Sequence, residues 1–312
     1  MTGTGPVLVA GGLGAVGALL GAALRADGRE VLAVDPTAVD PTAAAPAGAV
    51  LRADITAPTA PLAAALTTAD TVILAVPDQV AVAALPALAP LLKPDTLLVE
   101  TLSVKTPIAA ALRTHRPGGP AVGINPMFAP ELGLAQRPVA VIRHGDGPAV
   151  AAFVAALRRW GAAVTEMSAD DHDRLTAATQ VLTHATLLAF GAALDRLDVP
   201  AGAAATFPPP HTTLRALLAR LGAGTGEVYH DIQRANPHAA AARRALADAV
   251  TELDAATGSP SAFAAVLERG RRALGDSAPA ARQLCAQLFA ALPRNPHPDG
   301  APGAAAEDRS RP

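Results

Sequence analysis

The strongest constraint on this chain lies in its first seventeen residues. Pro6-Val7-Leu8-Val9-Ala10-Gly11 is a short apolar run, the pattern of a parallel strand buried on both faces. It leads directly into Gly12-Leu13-Gly14-Ala15-Val16-Gly17. A helix is expected from there to about Ala26, then a turn at Asp27-Gly28 and a second strand over Glu30–Asp35. In a strand–turn–helix of this kind the three glycines do different work. Gly12 allows the tight turn, Gly14 lets the backbone approach a pyrophosphate, and Gly17 lets helix and strand pack closely. The helix N-terminus adds free N–H groups and a partial positive charge for phosphate. A lone Gly-x-Gly-x-x-Gly is weak, because any tight α/β turn can carry one. Here its place between strand and helix is joined by Asp35, 18 residues after Gly17 at the end of the second strand. An acid there accepts hydrogen bonds from the adenosine ribose and repels a 2′-phosphate, so NAD is expected rather than NADP. The competing reading of Asp35 is a turn acid before Pro36.

The rest of the first half repeats the alternation. Residues 36–68 are rich in Ala, Pro and Thr, with a short strand at Ala49-Val50-Leu51. Thr71–Pro77 is a buried strand whose end, Val76-Pro77, is expected to line the nicotinamide pocket. Ala81–Leu92 is helical, interrupted by Pro86 and Pro90. Then follow a strand at Thr96–Glu100, a helix to about His115, strands at Ala121–Ile124 and Pro138–Ile142, a helix over Ala149–Trp160 and a strand at Ala163–Met167. Alternation of this kind predicts a doubly wound Rossmann sheet with right-handed crossovers. After Met167 the strands stop. Asp170–Leu197 keeps helical spacing without an internal proline, and further helices are expected near 212–221, 228–235, 238–256, 261–274 and 278–291. The expected organisation is therefore α/β, with an NAD-binding domain over 1–167, an all-α domain over 168–293 and a disordered tail over 294–312.

Composition narrows the partners. A net charge of −2 over 312 residues leaves no basic face for nucleic acid. Cys285 is the single cysteine, so no intrachain disulfide forms and a reducing cytoplasm fits. The N-terminus lacks a basic segment and cleavage site, and no uninterrupted apolar stretch reaches membrane-spanning length. His211, His230, His238 and His297 form no metal-ligand pattern with carboxylates or Cys285. A small-molecule substrate, with neither nucleic acid nor membrane, is the expected partner.

Four motifs in order carry a family resemblance. They are the glycine loop; Ser103-Val104-Lys105 after a sheet strand; Asn125-Pro126-Met127-Phe128; and a helical region with His172-Asp173, His184 twelve residues on, and Arg220 nine residues before Tyr229. Singly these are weak. Together, spanning about Val7 to Phe289, they resemble the prephenate dehydrogenase family. The resemblance implies an oxidative decarboxylation in which NAD⁺ takes hydride from C4 of a cyclohexadiene while the ring carboxylate leaves as CO₂. It implies that Ser103 faces the residue at position 125 and hydrogen-bonds either it or the substrate, that Arg220 holds a substrate carboxylate, and that the helical region is a dimerisation domain, making the protein a homodimer.

The chain departs from the family at the catalytic residue. The family has His-Pro-Met where this chain has Asn125-Pro126-Met127, and that histidine is the base that takes the C4 hydroxyl proton. Asparagine donates and accepts hydrogen bonds but is no base near neutral pH, and general-base catalysis is commonly worth about 10²- to 10⁴-fold. A C4 amine removes the need for the base. Its lone pair expels the hydride, and loss of CO₂ from the resulting iminium gives a neutral arylamine. The expected substrate is 4-amino-4-deoxyprephenate and the product 4-aminophenylpyruvate, on a p-aminophenylalanine branch of antibiotic biosynthesis. Two other readings stand beside it. One is a prephenate or arogenate dehydrogenase with the base relocated to His172 or His184. The other is an NAD-binding pseudoenzyme or sensor.

The remaining residues carry paired readings. His184 lies near the substrate side chain as a catalytic group, or is a hydrogen-bonded core histidine. His172 contacts substrate, or is a cap or interdomain contact. Lys105 binds substrate or pairs with an acid. Arg220 binds substrate or sits in a surface ion pair, and Tyr229 packs beside the site or against a dimer partner.

Overall fold

The structure, a computed structural model, describes residues 5–38, 49–198, 206–224 and 226–292. The expected tail over 294–312 lies outside the described residues. Eight strands form one sheet: β1 (Val7–Ala10), β2 (Val31–Val34), β3 (Ala49–Leu51), β4 (Thr71–Leu74), β5 (Leu97–Glu100), β6 (Ala121–Pro126), β7 (Pro138–Arg143) and β8 (Ala163–Glu166). Their order is β3-β2-β1-β4-β5-β6-β7-β8. All neighbours pair in parallel except β6 and β7, which are antiparallel. The order reverses between β1 and β4, and the crevice beyond the carboxyl ends of those two strands is where a doubly wound sheet binds its ligand.

Alternation along each strand divides the core. Leu8 and Ala10 of β1, with Val72 and Leu74 of β4, face one side. There α2 (Ala60–Thr68) supplies Leu62 and Leu66, and α3 (Asp78–Leu88) supplies Leu85 and Leu88. Val7 and Val9 of β1 and Ile73 of β4 face the other, against Leu20 and Leu24 of α1 (Ala15–Ala26) and Phe153, Val154 and Leu157 of α5 (Pro148–Arg159). Burying apolar surface on both faces is the main driving force for such a sheet. The expected break at Pro86 does not occur. Pro86 sits inside α3, and the helix ends instead in a 3₁₀ turn over Ala89–Leu91 that contains Pro90. α4 (Thr106–His115) follows β5.

The remaining helices are α6 (Ala169–Thr176), α7 (Leu182–Arg196), α8 (Pro209–Gly222), α9 (Gly226–Ala235), α10 (Ala239–Ala256), α11 (Pro260–Leu274) and α12 (Ala278–Ala291). α6 and α7 form one continuous helix through a π-turn at Ala177–Val181. The strand–helix alternation gives way to helices after Met167, but compact packing divides the chain elsewhere. One unit holds residues 1–184 and 225–246, and the other 185–224 and 247–312. α6 and α9 thus pack with the sheet. Asn236 Nδ2 donates to the carbonyl of Asp173 at 2.8 Å, and Gln233 to that of Val181 at 2.9 Å. In the second unit, α7 and α8 approach closely at Gly191, where a Cβ would stand 2.9 Å from Leu218. The helix from Ala169 to Arg196 has the length and mean hydropathy, 1.3 over its best window, of a membrane span. Its opening turns carry Asp170, Asp171, Asp173 and Arg174, charges that are expensive in hydrocarbon.

Candidate active site

The glycine loop sits at the sheet's switch point. Gly11 has a φ of +72°, so the left-handed residue of the turn is Gly11, one position before the glycine expected there. Gly12 serves a different need: a Cβ on it would lie 2.6 Å from Ala33 Cβ on β2. Gly17 is buried, and a Cβ on it would strike the Gly11 carbonyl, so helix and loop touch through bare backbone. Leu13, Gly14 and Ala15 are exposed and Val16 half-buried, and Gly14 caps α1 with no side chain over its N–H groups. That leaves the helix N-terminus open to a phosphate. Asp35 is buried. Its Oδ1 accepts from the Thr37 N–H at 2.9 Å and the Thr37 hydroxyl at 2.6 Å, which aims the carboxylate and leaves Oδ2 for a ribose hydroxyl. Val76 and Pro77, both half-buried, follow β4 across the switch point. The cradle and its acid fit a dinucleotide without a 2′-phosphate.

Beside this loop lies a connected set of buried polar groups centred on position 125. Asn125 is in β6 and buried, and its Nδ2 lies 3.1 Å from His172 Nε2. The other ring nitrogen of His172 lies 2.9 Å from Asp173 Oδ1. Asp173 also accepts the backbone N–H groups of Lys105 and Thr106, each at 2.8 Å, at the start of α4. Burial pushes the Asp173 carboxyl up, but the hydrogen bonds from His172, Thr106 and Lys105 outweigh it and hold it below its usual range. Asp173 is therefore an anion, and a carboxylate can only accept.

Of the two readings of Lys105, the structure shows the pairing with an acid. Its side chain is fully buried. Nζ donates to Glu100 Oε2 at 2.7 Å and to the Ile124 carbonyl at 2.8 Å. Glu100 Oε1 meets His144 Nε2 at 2.9 Å. Gly123 makes room for that pair, since a Cβ on it would lie against Glu100 and 2.8 Å from His144. Burial pushes Glu100 up, and the Lys105 ammonium and His144 more than reverse it, leaving it below the usual carboxylate range. Lys105 thus holds the backbone one residue before Asn125 and has no hydrogen left pointing at solvent.

The other expected residues are less tightly gathered. Ser103 is half-buried. Its backbone N–H points at Asp78 Oδ1, 3.3 Å away, and its hydroxyl makes no hydrogen bond to Asn125. Of the two expected partners of Ser103, Asn125 is not one it reaches; the hydrogen bond of Asn125 is to His172. His184 and Tyr229 pack edge to face with ring centroids 5.0 Å apart. The π-turn matters for His184. Twelve residues along a regular helix put two side chains about 120° apart, but one extra residue in the turn brings His172 and His184 to within about 20° of one face. Arg220 belongs to the second unit, exposed in the last turn of α8.

Two further acids belong to this set, neither assigned a role by the sequence patterns. Asp78 accepts from Ser103 and Val104 backbone N–H groups, the latter at 3.0 Å, and burial pushes its carboxyl up to about 6. Its signal was its place directly after Val76-Pro77 at a strand end. Asp173 was visible only as the neighbour of His172.

A nucleotide loop at a switch point, next to a buried polar site, defines a dinucleotide-dependent oxidoreductase. Residues 20–138 match the domain described as "Prephenate dehydrogenase, nucleotide-binding domain". The chain is 46% identical over 291 residues to the 4-amino-4-deoxyprephenate dehydrogenase of Streptomyces pristinaespiralis, covering 92% of this chain and 97% of that protein. Its fold matches the crystal structure of the Aquifex aeolicus prephenate dehydrogenase in complex with hydroxyphenyl propionate and NAD⁺, with a TM-score of 0.68 at 18% identity, over 86% of this chain and 96% of that one. The Synechocystis arogenate dehydrogenase gives a TM-score of 0.58 at 21% identity, over 85% and 96%. The chain belongs to the prephenate dehydrogenase family.

Proposed function

We propose that this protein catalyses the NAD-dependent oxidative decarboxylation of 4-amino-4-deoxyprephenate to 4-aminophenylpyruvate. The observation that carries the reading is Asn125, a residue that cannot act as a base, held by His172 where the family places its base. NAD⁺ supplies the hydride acceptor. The 46% identity to a protein named for this substrate supports the same reading. Asn125 accepts an N–H of the C4 amine. The amine's own lone pair drives hydride departure, and decarboxylation of the iminium restores the aromatic ring, so no proton need leave in the hydride step. Arg220 holds a substrate carboxylate, bidentately where geometry allows, Ser103 contacts the substrate, and His184 with Tyr229 lies beside its side chain. A relocated base on His172 is disfavoured, because both of its ring nitrogens are already engaged.

The product is the keto acid of p-aminophenylalanine, which supports the reading of an antibiotic precursor branch. Cys285, exposed and unpaired, gains nothing from an oxidising compartment and supports a cytoplasmic location. The second unit leaves large apolar side chains uncovered, among them Phe263, Leu267, Leu284 and Leu288, which supports a homodimer.

The test is NADH formation from 4-amino-4-deoxyprephenate and from prephenate, for the wild type and for Asn125→His. The wild type should prefer the amine by about 10²-fold or more, and the histidine variant should gain prephenate turnover. Efficient wild-type turnover of prephenate with poor turnover of the amine refutes the reading.

A further inference from the structure

We propose that His172 is a positioning residue that sets which end of the Asn125 amide faces the reacting nitrogen. The inference rests on the substrate reading above and adds to it the device that makes Asn125 selective.

An asparagine at this position is ambiguous by itself. With Oδ1 toward the substrate it accepts an N–H from the C4 amine. With Nδ2 toward the substrate it donates, which would tie up the lone pair that must expel the hydride. The two arrangements differ by a half-turn of one dihedral, so something must choose between them. The buried chain of contacts makes that choice. Asp173 is held as an anion by three N–H donors, the backbone groups of Lys105 and Thr106 and the His172 ring. An anion forces the near nitrogen of His172, Nδ1, to be the protonated one, because only a donor satisfies the 2.9 Å contact. In the neutral ring Nε2 then carries a lone pair and must accept. The atom of Asn125 at 3.1 Å is therefore the donor, Nδ2, and Oδ1 is the atom left over. Oδ1 accepts no hydrogen bond from the described residues.

His172 and Asp173 are both fully buried, so water does not compete for these contacts. The backbone of position 125 is held separately, through the Lys105 bond to the Ile124 carbonyl. One network fixes where the residue is and the other fixes how its amide is turned. Among the described residues no other side chain is hydrogen-bonded to Asn125, so the orientation depends on His172.

The experiment compares the wild type, His172→Gln and His172→Leu. Gln keeps an oxygen able to accept from Asn125 Nδ2, and Leu keeps the volume without an acceptor. Each is assayed for kcat and KM with 4-amino-4-deoxyprephenate and with prephenate, and for NAD affinity. In the wild type, long-range ¹H–¹⁵N spectra of the histidine rings report which nitrogen of His172 carries the proton. We expect a ring protonated on Nδ1. For His172→Leu we expect kcat with the amine to fall by roughly 10- to 100-fold, with KM and NAD affinity within about 3-fold, and most of the preference for the amine to be lost. His172→Gln should recover most of both. A folded His172→Leu that keeps kcat and preference overturns the proposal, as does a wild-type ring protonated on Nε2. If His172→Leu does not fold, His172→Gln decides: a folded Gln variant that has lost both turnover and preference overturns it, and one that keeps both supports it. A wild type that does not turn over the amine at all is a different failure, that of the substrate reading, and the assay separates the two.

Discussion

Lys105 and Asp78 both place charge in the interior beside the site, with opposite consequences. Lys105 is fully buried with Glu100. A buried pair contributes little net stability over an apolar replacement of both partners, but removing one partner strands the other charge at a cost of about 3–5 kcal/mol. Lys105→Met should lower stability by that amount in urea unfolding, and adding Glu100→Gln should recover a good part of it. If Lys105→Met is close to neutral, the pair is not the anchor of the Ile124 strand end. Asp78 works the other way. Burial raises its folded carboxyl to about 6 from the ordinary 3.8, so the folded state binds this proton more tightly than the unfolded chain does. Its protonated form therefore favours the fold, and the stability it contributes is fully present below about pH 4 and is lost as pH rises to about 6. The size is about 3 kcal/mol. Asp78→Asn should flatten the stability profile across that window, as measured by urea midpoints at each pH. An unchanged profile would show that some other group carries the effect.

At the scale of elements, the π-turn at Ala177–Val181 decides what α6 and α7 present together. It brings the faces of His172 and His184 into line, which a regular helix would not. Deleting Thr179 would regularise the helix and leave the two aligned, whereas inserting one alanine after Thr179 should turn His184 by about 100° relative to His172. Turnover should then fall by about 100-fold or more. NAD binding should remain, because the glycine loop and Asp35 lie on other elements. Calorimetric NAD titration beside the NADH assay checks both halves; an insertion variant with wild-type turnover refutes the alignment argument. The glycine loop is a second element with little freedom. Gly11 supplies the left-handed turn and Gly17 the bare contact between α1 and Gly11.

For the molecule as a whole, the two compact units differ in kind. The unit containing the sheet buries apolar residues on both faces of the strands. Among its described residues the other unit has few buried side chains and many exposed ones on α10, α11 and α12, including Val250, Leu253, Phe263, Leu267 and Leu288. Exposed apolar area of that extent is what a second copy would cover. Light scattering should give twice the mass of the 31.2 kDa chain, and Leu267→Asp with Leu288→Asp should give a monomer. A wild-type monomer at micromolar concentration would refute the dimer.

Local patterns in the chain were enough to determine the Rossmann half. The strand before the glycine loop, the acid at Asp35, the strand ending at Pro77 and the change to helices after Met167 are all short-range signals, because strand and helix periodicity act over a few residues. The departure at Asn125 was equally plain, since it is a single letter in a short motif. Tertiary structure decided what no local pattern encodes. It chose the acid Glu100 as the partner of Lys105, put His172 rather than Ser103 against Asn125, and moved the left-handed turn to Gly11. It also inserted a π-turn where the spacing suggested an uninterrupted helix. Each of these depends on what a buried polar group finds as its partner once the sheet and helices have packed. An unpaired polar group in the interior costs more than almost any local preference, so the partners available across the fold, and not the neighbours along the chain, set the final geometry of the site.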